Sequence, residues 1–482
     1  MIFKLYKYLK TNYLYFTKFR KNQNEKIQLI EHSEFFDSEF YLKKYPEVKY
    51  YKAGPAAHFL NIGWKIGFDP SLQFSTKKYY YNYVDIYSTE TCPILHYELS
   101  GKKEDRKVYQ TDFSRNFFTS KKNTNESRNQ KKILLISHEL SYTGAPLLLL
   151  NVADIFMSLG YGVIVASPKD GDLKKEFLEK GIDVCIDTEL SYSNTSIEFY
   201  REKNVVFCIA NSINSVVAYL NISKKIKSIL WIHENIIPEK YNLYFSKKIL
   251  SKINKKNNVY VPCELTKSYI ESKIKEVKIL RYPIKDHYTK TSTTSSLQNN
   301  DIIHFALLGT FEKRKGQDLV IEAVKRIPKD LRKKIDIVFI GDDFGSGYKT
   351  ELIHNAKNVP ELNFKKTIKN REEYYSLFEN IDYLLCPSRQ DPYPLVVIDA
   401  LMMCRPPIIS TNVGEKDILK HGFNGFIFKN ENVEELKLII EQILLKDVNY
   451  EEISKESRRV FEENFKVENI KNTFNQLINH VN

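Results

Sequence analysis

Between Gly309 and Gly316 the chain reads Gly-Thr-Phe-Glu-Lys-Arg-Lys-Gly, directly after the apolar run Ile302–Leu308 and before a helical pattern over Asp318–Ile327. A strand-to-helix junction leaves backbone N–H groups unpaired at the positive end of the helix dipole, and Arg314 and Lys315 add two cations. The segment therefore predicts an anion site suited to a diphosphate, with a solvated basic surface as the alternative. Farther on, Pro387-Ser-Arg-Gln-Asp391-Pro-Tyr393-Pro394-Leu395-Val396-Val-Ile-Asp399 carries two acids eight positions apart. Asp391 either faces the loop's ligand or caps the following helix, and Asp399 lies about two helical turns on. Carboxylates accept hydrogen bonds from hydroxyl-rich groups such as sugar and ribose rings. In the preceding half, Ser137-His-Glu-Leu-Ser-Tyr-Thr-Gly144 follows a strand, and Gly144 permits close backbone approach. His233, in Trp231-Ile-His-Glu234, stands at a strand's carboxyl end, either in a ligand cleft or fixing a loop.

These residues need a scaffold that collects strand ends. Ile133–Ser137, Val163–Ser167, Val184–Ile186, Val205–Ala210 and Ile229–His233 are short apolar runs separated by helical stretches such as Leu173–Lys180. That alternation predicts a doubly wound parallel sheet. A polar stretch, Thr289–Asn300, interrupts it before the same texture resumes. The expectation is an α/β chain of two Rossmann-like domains, 131–288 and 301–482, the second ending in helices, with ligands in the cleft beyond their strand ends.

Ahead of these, Pro55-Ala-Ala-His58-Phe-Leu-x-x-Gly63 recurs as Pro93-Ile-Leu-His96-Tyr-Glu-x-x-Gly101, an offset of 38 residues that Tyr41/Tyr79 and Tyr45/Tyr83 keep. Such self-similarity predicts one helical unit used twice over 27–110. His58 and His96 are either ligands or hydrogen-bonded core residues. Residues 111–130 are polar and aperiodic, as in a linker. Residues 1–26 carry seven cations against one acid, with apolar residues at helical spacing. This basic segment reads as an interfacial helix on an anionic membrane or a helix packed on the next domain.

In this order and spacing, the Lys-Gly after the second domain's first strand and the paired acids resemble the donor half of glycosyltransferase family 4, of the GT-B fold. Asn412-Val-Gly-Glu415 and Gly422-Phe-Asn-Gly-Phe426 resemble the segment that follows the acids, and the repeat resembles a module ahead of some bacterial polysaccharide glycosyltransferases. The resemblance implies a retaining enzyme that moves a sugar from a nucleotide-sugar donor to a glycan or lipid-linked glycan, with no metal and no cofactor. It assigns Lys315 and Arg314 to the leaving phosphates, Asp391 to the donor sugar, Asp399 to the ribose and His233 to the cleft. Gly144, Gly309, Thr310, Tyr393, Pro394, Leu395 and Val396 complete the implied donor site. Four positions depart from the family pattern: Asp stands for Glu at both acids, Thr310 for an arginine, and Pro394 for a glycine. A weakened glycan-binding scaffold on the same fold is the competing reading.

Composition narrows the classes further. The chain has 482 residues, 42% of them hydrophobic, and a formal charge of +13, which favours anionic partners. Nucleic acid is not expected, because the basic residues gather in the N-terminal segment and beside the diphosphate loop. Asp170-Gly-Asp172 reads as a turn plus helix cap rather than a metal pair. Six scattered cysteines without a Cys-x-x-Cys pair suggest structural thiols, and lysines interrupt every candidate apolar segment of a secretory signal. The expected setting is cytoplasmic, with a peripheral contact to the inner membrane face.

Overall fold

The computed structural model describes residues 22–111, 115–123, 129–234, 246–288, 302–368 and 370–480. Most of the predicted N-terminal basic segment lies outside them; residues 22–31 are helical. Among the described residues, no helix is long and apolar enough to cross a membrane.

The predicted strands form two sheets. The first holds eight strands in the order β1-β4-β3-β2-β5-β6-β7-β8. Its members are β1 (Arg115–Phe118), β2 (Lys132–Ile136), β3 (Gly162–Ser167), β4 (Asp183–Asp187), β5 (Val205–Asn211), β6 (Lys227–Trp231), β7 (Val259–Val261) and β8 (Val277–Ile279). The second holds six, all parallel, in the order β11-β10-β9-β12-β13-β14. These are β9 (Ile303–Leu308), β10 (Ile335–Ile340), β11 (Leu362–Lys365), β12 (Tyr383–Cys386), β13 (Pro407–Ser410) and β14 (Phe426–Phe428). Central strands such as β3 and β4 are buried along their whole length, as a parallel sheet covered by helices on both faces requires. In each sheet the strand order reverses once, between β2 and β5 in the first and between β9 and β12 in the second. A crevice opens beyond the carboxyl ends at each reversal.

The stretch read as a linker contains β1, which pairs antiparallel with β4. Arg115 anchors it on the buried carboxylate of Asp187 at 3.0 Å. A four-residue strand whose partner lies far along the chain leaves almost no periodic signal.

The last helix also departs from the predicted division. Val467–His480 leaves the second domain and packs on the Gly144–Ser158 helix of the first, with Phe474 set edge-on to Phe156 and Trp231. Arg458 grips Asp286 and Ile284 pairs with Lys466, so the chain crosses twice between the domains. Beyond the asymmetry of loops, this swap joins the two halves through hydrophobic contact.

The N-terminal helical region repeats its geometry at the sequence offset. Short helices Pro55–His58 and Pro93–His96 each continue into a wider turn, Phe59–Gly63 and Tyr97–Gly101. Tyr41 Oη bonds His58 Nδ1 at 3.0 Å, and Tyr79 Oη bonds His96 Nδ1 at the same distance. Both histidines are thus held by tyrosines of the helical core, His58 buried and His96 half-buried, and burial lowers both pKa values. The glycines make room for the tyrosines: a β-carbon on Gly63 would lie 2.0 Å from Tyr41 Oη, and one on Gly101 2.6 Å from Tyr79 Oη. Ala normally stabilises a helix over Gly by ~1 kcal/mol. Here Gly63→Ala is expected instead to destabilise the chain by ~1–3 kcal/mol through overpacking. Urea denaturation checks the sign, and an unchanged or raised midpoint would refute this account.

Candidate active site

The loops after β9 and β12 flank the reversal point of the second sheet, and the predicted anion segment and acid segment are these two loops. Gly316 has φ +71°, and a β-carbon there would lie 2.2 Å from the Pro387 carbonyl oxygen, so only glycine lets the loops close together. Arg389 N donates to Arg314 O at 2.8 Å and ties them directly. Lys315 folds its aliphatic stem over Gly309 and places Nζ 2.6 Å from Asp391 Oδ2. Ser388 Oγ donates to the same oxygen at 3.3 Å. The pair is largely buried, with side-chain exposures of 16% for Lys315 and 8% for Asp391.

Asp391 is not a helix cap. Its backbone N–H donates to Asn412 O, its carbonyl accepts from Gly414 N, and Pro394 occupies the cap position of the Leu395–Met402 helix. Arg314 stands 3.6 Å from Asp391 but donates its shorter bonds to Glu312 and to the Gln390 carbonyl. Thr310, where the family pattern has arginine, contributes its carbonyl to Gln317. Leu395 and Val396, half-buried, form the first turn of the helix that follows.

The remaining predicted residues lie elsewhere around the cleft. Asp399 accepts from Tyr374 Oη at 2.7 Å and opens, with Leu395, on an interdomain cavity of about 570 Å³. Tyr142 and Leu148 from the first domain line its other side. Gly144 begins the Gly144–Ser158 helix with open space where a β-carbon would be. Tyr393 packs edge-on against Tyr282, its hydroxyl buried without a hydrogen-bond partner. Asp170 pairs with Lys174, while Asp172 makes no capping bond. Leu173 N uses the Leu140 carbonyl instead, and Gly171 sits against that carbonyl.

His233 takes the loop-fixing role. Asn211 Nδ2 donates to the carbonyl of Ala145 at 2.8 Å, which orients the amide so that Oδ1 faces the histidine. Nε2 then donates to Asn211 Oδ1 at 2.5 Å, and Nδ1 accepts from Tyr282 Oη at 2.9 Å. Both ring nitrogens are occupied, and burial, aided by the charge of nearby His138, lowers the pKa to about 3. The neutral ring thereby holds the backbone beside Gly144.

Glu415, in the segment after the paired acids, also lies near the site, although its sequence context marks no role for it. Both carboxylate oxygens are buried without hydrogen-bond partners. Burial, with Asp391 nearby, pushes its carboxyl well above the usual range. Tyr282 carries no distinguishing sequence signal, whereas His138 belongs to the Ser137–Gly144 segment noted above.

Residues 129–286 match the family model for glycosyl-transferase family 4, and residues 291–464 match that for glycosyl transferases group 1. The two domains are those of a family 4-like glycosyltransferase. A glycosyltransferase of Methanocaldococcus jannaschii, itself uncharacterised, is 31% identical over 164 residues, covering 33% of this chain and 42% of its own. Another uncharacterised glycosyltransferase, from Haemophilus influenzae, is 24% identical over 262 residues, 52% of this chain and 68% of its own. The chain thus spans under half of the archaeal relative. Among solved structures, the Anabaena protein HepE in complex with UDP and glucose superposes with a TM-score of 0.58 at 17% identity, covering 73% of this chain and 100% of its own. That likeness establishes the GT-B fold of this glycosyltransferase-like chain.

Proposed function

We propose that the protein is a retaining, metal-independent glycosyltransferase that moves a sugar from a nucleotide-diphosphate donor to a glycan or lipid-linked glycan in bacterial surface polysaccharide synthesis. The observation that carries this reading is the Lys315–Asp391 pair at the reversal point of the second sheet. Cleavage of a nucleotide sugar leaves charge on the β-phosphate while the sugar becomes oxocarbenium-like. Lys315, with Arg314 beside it, is positioned for the phosphate, and Asp391 for the donor sugar. Asp399, on the neighbouring cavity wall, suits a ribose diol, and the Gly144 backbone fixed through Asn211 and His233 closes the opposite side. Binding of UDP and glucose by HepE supports a nucleotide-sugar donor.

Incubation with a panel of nucleotide sugars, read by nucleotide release and by calorimetric binding, tests the proposal. The expected result is micromolar-to-millimolar binding of one nucleotide class and acceptor-dependent release. Failure to bind any nucleotide diphosphate would overturn it, and tight binding without turnover would favour the scaffold reading.

A further inference from the structure

The helical region packs on the outer helices of the first sheet domain: Val84 and Tyr87 share a hydrophobic cluster with Val217 and Ile249, from Val216–Ile222 and Lys247–Ile253. Three hollows, of about 830, 620 and 460 Å³, run from the helical region along this junction. The first two share Trp64, Lys65 and Glu90, and the last two share Tyr81, Tyr87 and Lys252, so they follow one another as a single tract. Its far end reaches Lys224 and Lys255, in the turns that lead into the amino ends of β6 and β7. That is the side of the sheet opposite the carboxyl-end crevice. We propose that this tract is a second binding site, apart from the donor loops, for an anionic glycan chain whose phosphate or carboxylate groups pair with its lysines; that the polymer is a glycan rests on the transferase reading above.

Charge carries the proposal. Eight lysines line the tract, and Glu90 is the only acid among its described lining residues. Glu90 is already paired, with Lys248 at 3.1 Å. The other seven lysines have no carboxylate partner among the described residues. Lys252, Lys224 and Lys256 bond to neutral oxygens, Tyr87 Oη, Asn221 Oδ1 and the Ser223 carbonyl, and each bond takes one of three ammonium donors. Lys65, Lys77 and Lys255 are exposed. Burial, with Lys252 nearby, lowers the pKa of Lys224, and burial lowers that of Lys256. Cations gathered without anions repel one another and lose hydration, and an anion bound among them offsets both effects.

Shape and the aromatic groups select among anions. Hollows in a row suit an extended chain, whereas a bilayer surface reaches only groups on a protruding face. Single-stranded nucleic acid binds by stacking its bases on open aromatic rings. Here the rings at the centre of the tract are taken: Tyr81 stacks on Tyr192, and Lys248 lies 4.1 Å over the Tyr87 ring. A glycan needs no such platform, because its hydroxyls accept the ammonium N–H bonds that its charged groups leave over. Holding the polymer outside the cleft raises the effective concentration of its end at the donor loops.

Affinities of the full chain for poly(glycerol phosphate), polygalacturonate, neutral dextran, a single-stranded oligonucleotide and phosphatidylglycerol vesicles test the proposal. At least one of the two anionic polymers is expected to bind, more weakly as salt rises, and dextran is not; which polymer binds identifies the anion. Lys77→Glu with Lys255→Glu should weaken that binding at least about tenfold. Lys329→Glu with Lys357→Glu removes the same charge from exposed positions of the second domain and should change it less than about twofold. UDP binding and the melting midpoint should stay as in the parent. Should the midpoint of the first double variant fall, Lys65→Ala with Lys255→Ala decides, with an expected loss of at least about threefold. Four results overturn the proposal: neither anionic polymer binds, the tract variants bind as the parent does, both charge-reversed pairs weaken binding equally, or the oligonucleotide or the vesicles bind more tightly than both polymers. Anionic-polymer binding by a chain that binds no UDP would instead spare the tract and overturn the transferase reading.

Discussion

Lys315→Ala is expected to lower kcat for nucleotide-sugar cleavage by roughly a thousandfold, a figure that follows from one cation ~4 Å from the leaving phosphate at an effective dielectric of ~20, worth about 4 kcal/mol. In water the same contact gives ~1 kcal/mol, so the burial of Lys315 decides which figure applies. The ammonium is largely enclosed between the two loops, so the larger value applies. The variant has a second expected effect. Removing Lys315 leaves the Asp391 carboxylate buried, with Arg314 at 3.6 Å and the Ser388 hydroxyl as its nearest remaining compensation. Breaking a buried ion pair from one side costs ~3–5 kcal/mol of stability. The double variant Lys315→Ala with Asp391→Asn separates the two, since it should regain stability without regaining turnover. If kcat in Lys315→Ala stays within tenfold of the parent, Lys315 has no leaving-group role.

Much of this arrangement was legible because parallel sheets write their strands as apolar runs. β2, β3, β5 and β9 begin and end within a residue or two of the predicted runs, and the loop after β9 was recognisable from Gly309, Lys315 and Gly316 together. What escaped was whatever depends on partners distant in the chain. β1 exists because Asp187 needs Arg115, and nothing in Arg115–Phe118 alone announces that. The Val467–His480 helix was visible as a helix, but its docking on Phe156 and Trp231 of the other domain was not. Within the site, the residue type of His233 suggested chemistry, whereas its role is set by Asn211 and Tyr282, whose bonds consume both nitrogens. Tyr393 likewise sits inside the acid motif yet packs edge-on against Tyr282 of the first domain. Spacing identifies which loop carries a side chain; packing decides where that side chain points.

Gly414→Ala is expected to lower kcat by about a hundredfold while the chain remains folded, because misplacing a catalytic group by ~1 Å commonly costs that much. Gly414 lies under the loop that carries Asp391: its N–H donates to the Asp391 carbonyl at 3.1 Å, and Asp391 and Val413 form a parallel bridge. A β-carbon at this position would stand 1.7 Å from the Pro392 carbonyl oxygen and 2.8 Å from Cys263 Sγ. Neither contact can be relieved by rotating a flexible side chain, since one is backbone and the other belongs to a buried cysteine whose thiol donates to that same carbonyl at 3.2 Å. The loop must therefore move, and with it the carboxylate that pairs with Lys315. Cys263 belongs to the first domain, so the displacement also loosens the seam at which Leu265 N meets Asp417. Overpacking of this kind costs ~1–3 kcal/mol, which a well-folded domain survives. The pattern sought is a large fall in kcat, with a melting transition that remains cooperative and nucleotide binding, which the proposed function assigns mainly to the loop after β9, reduced much less. A variant that melts earlier but turns over at the parent rate would show that the position of Asp391 does not limit the reaction.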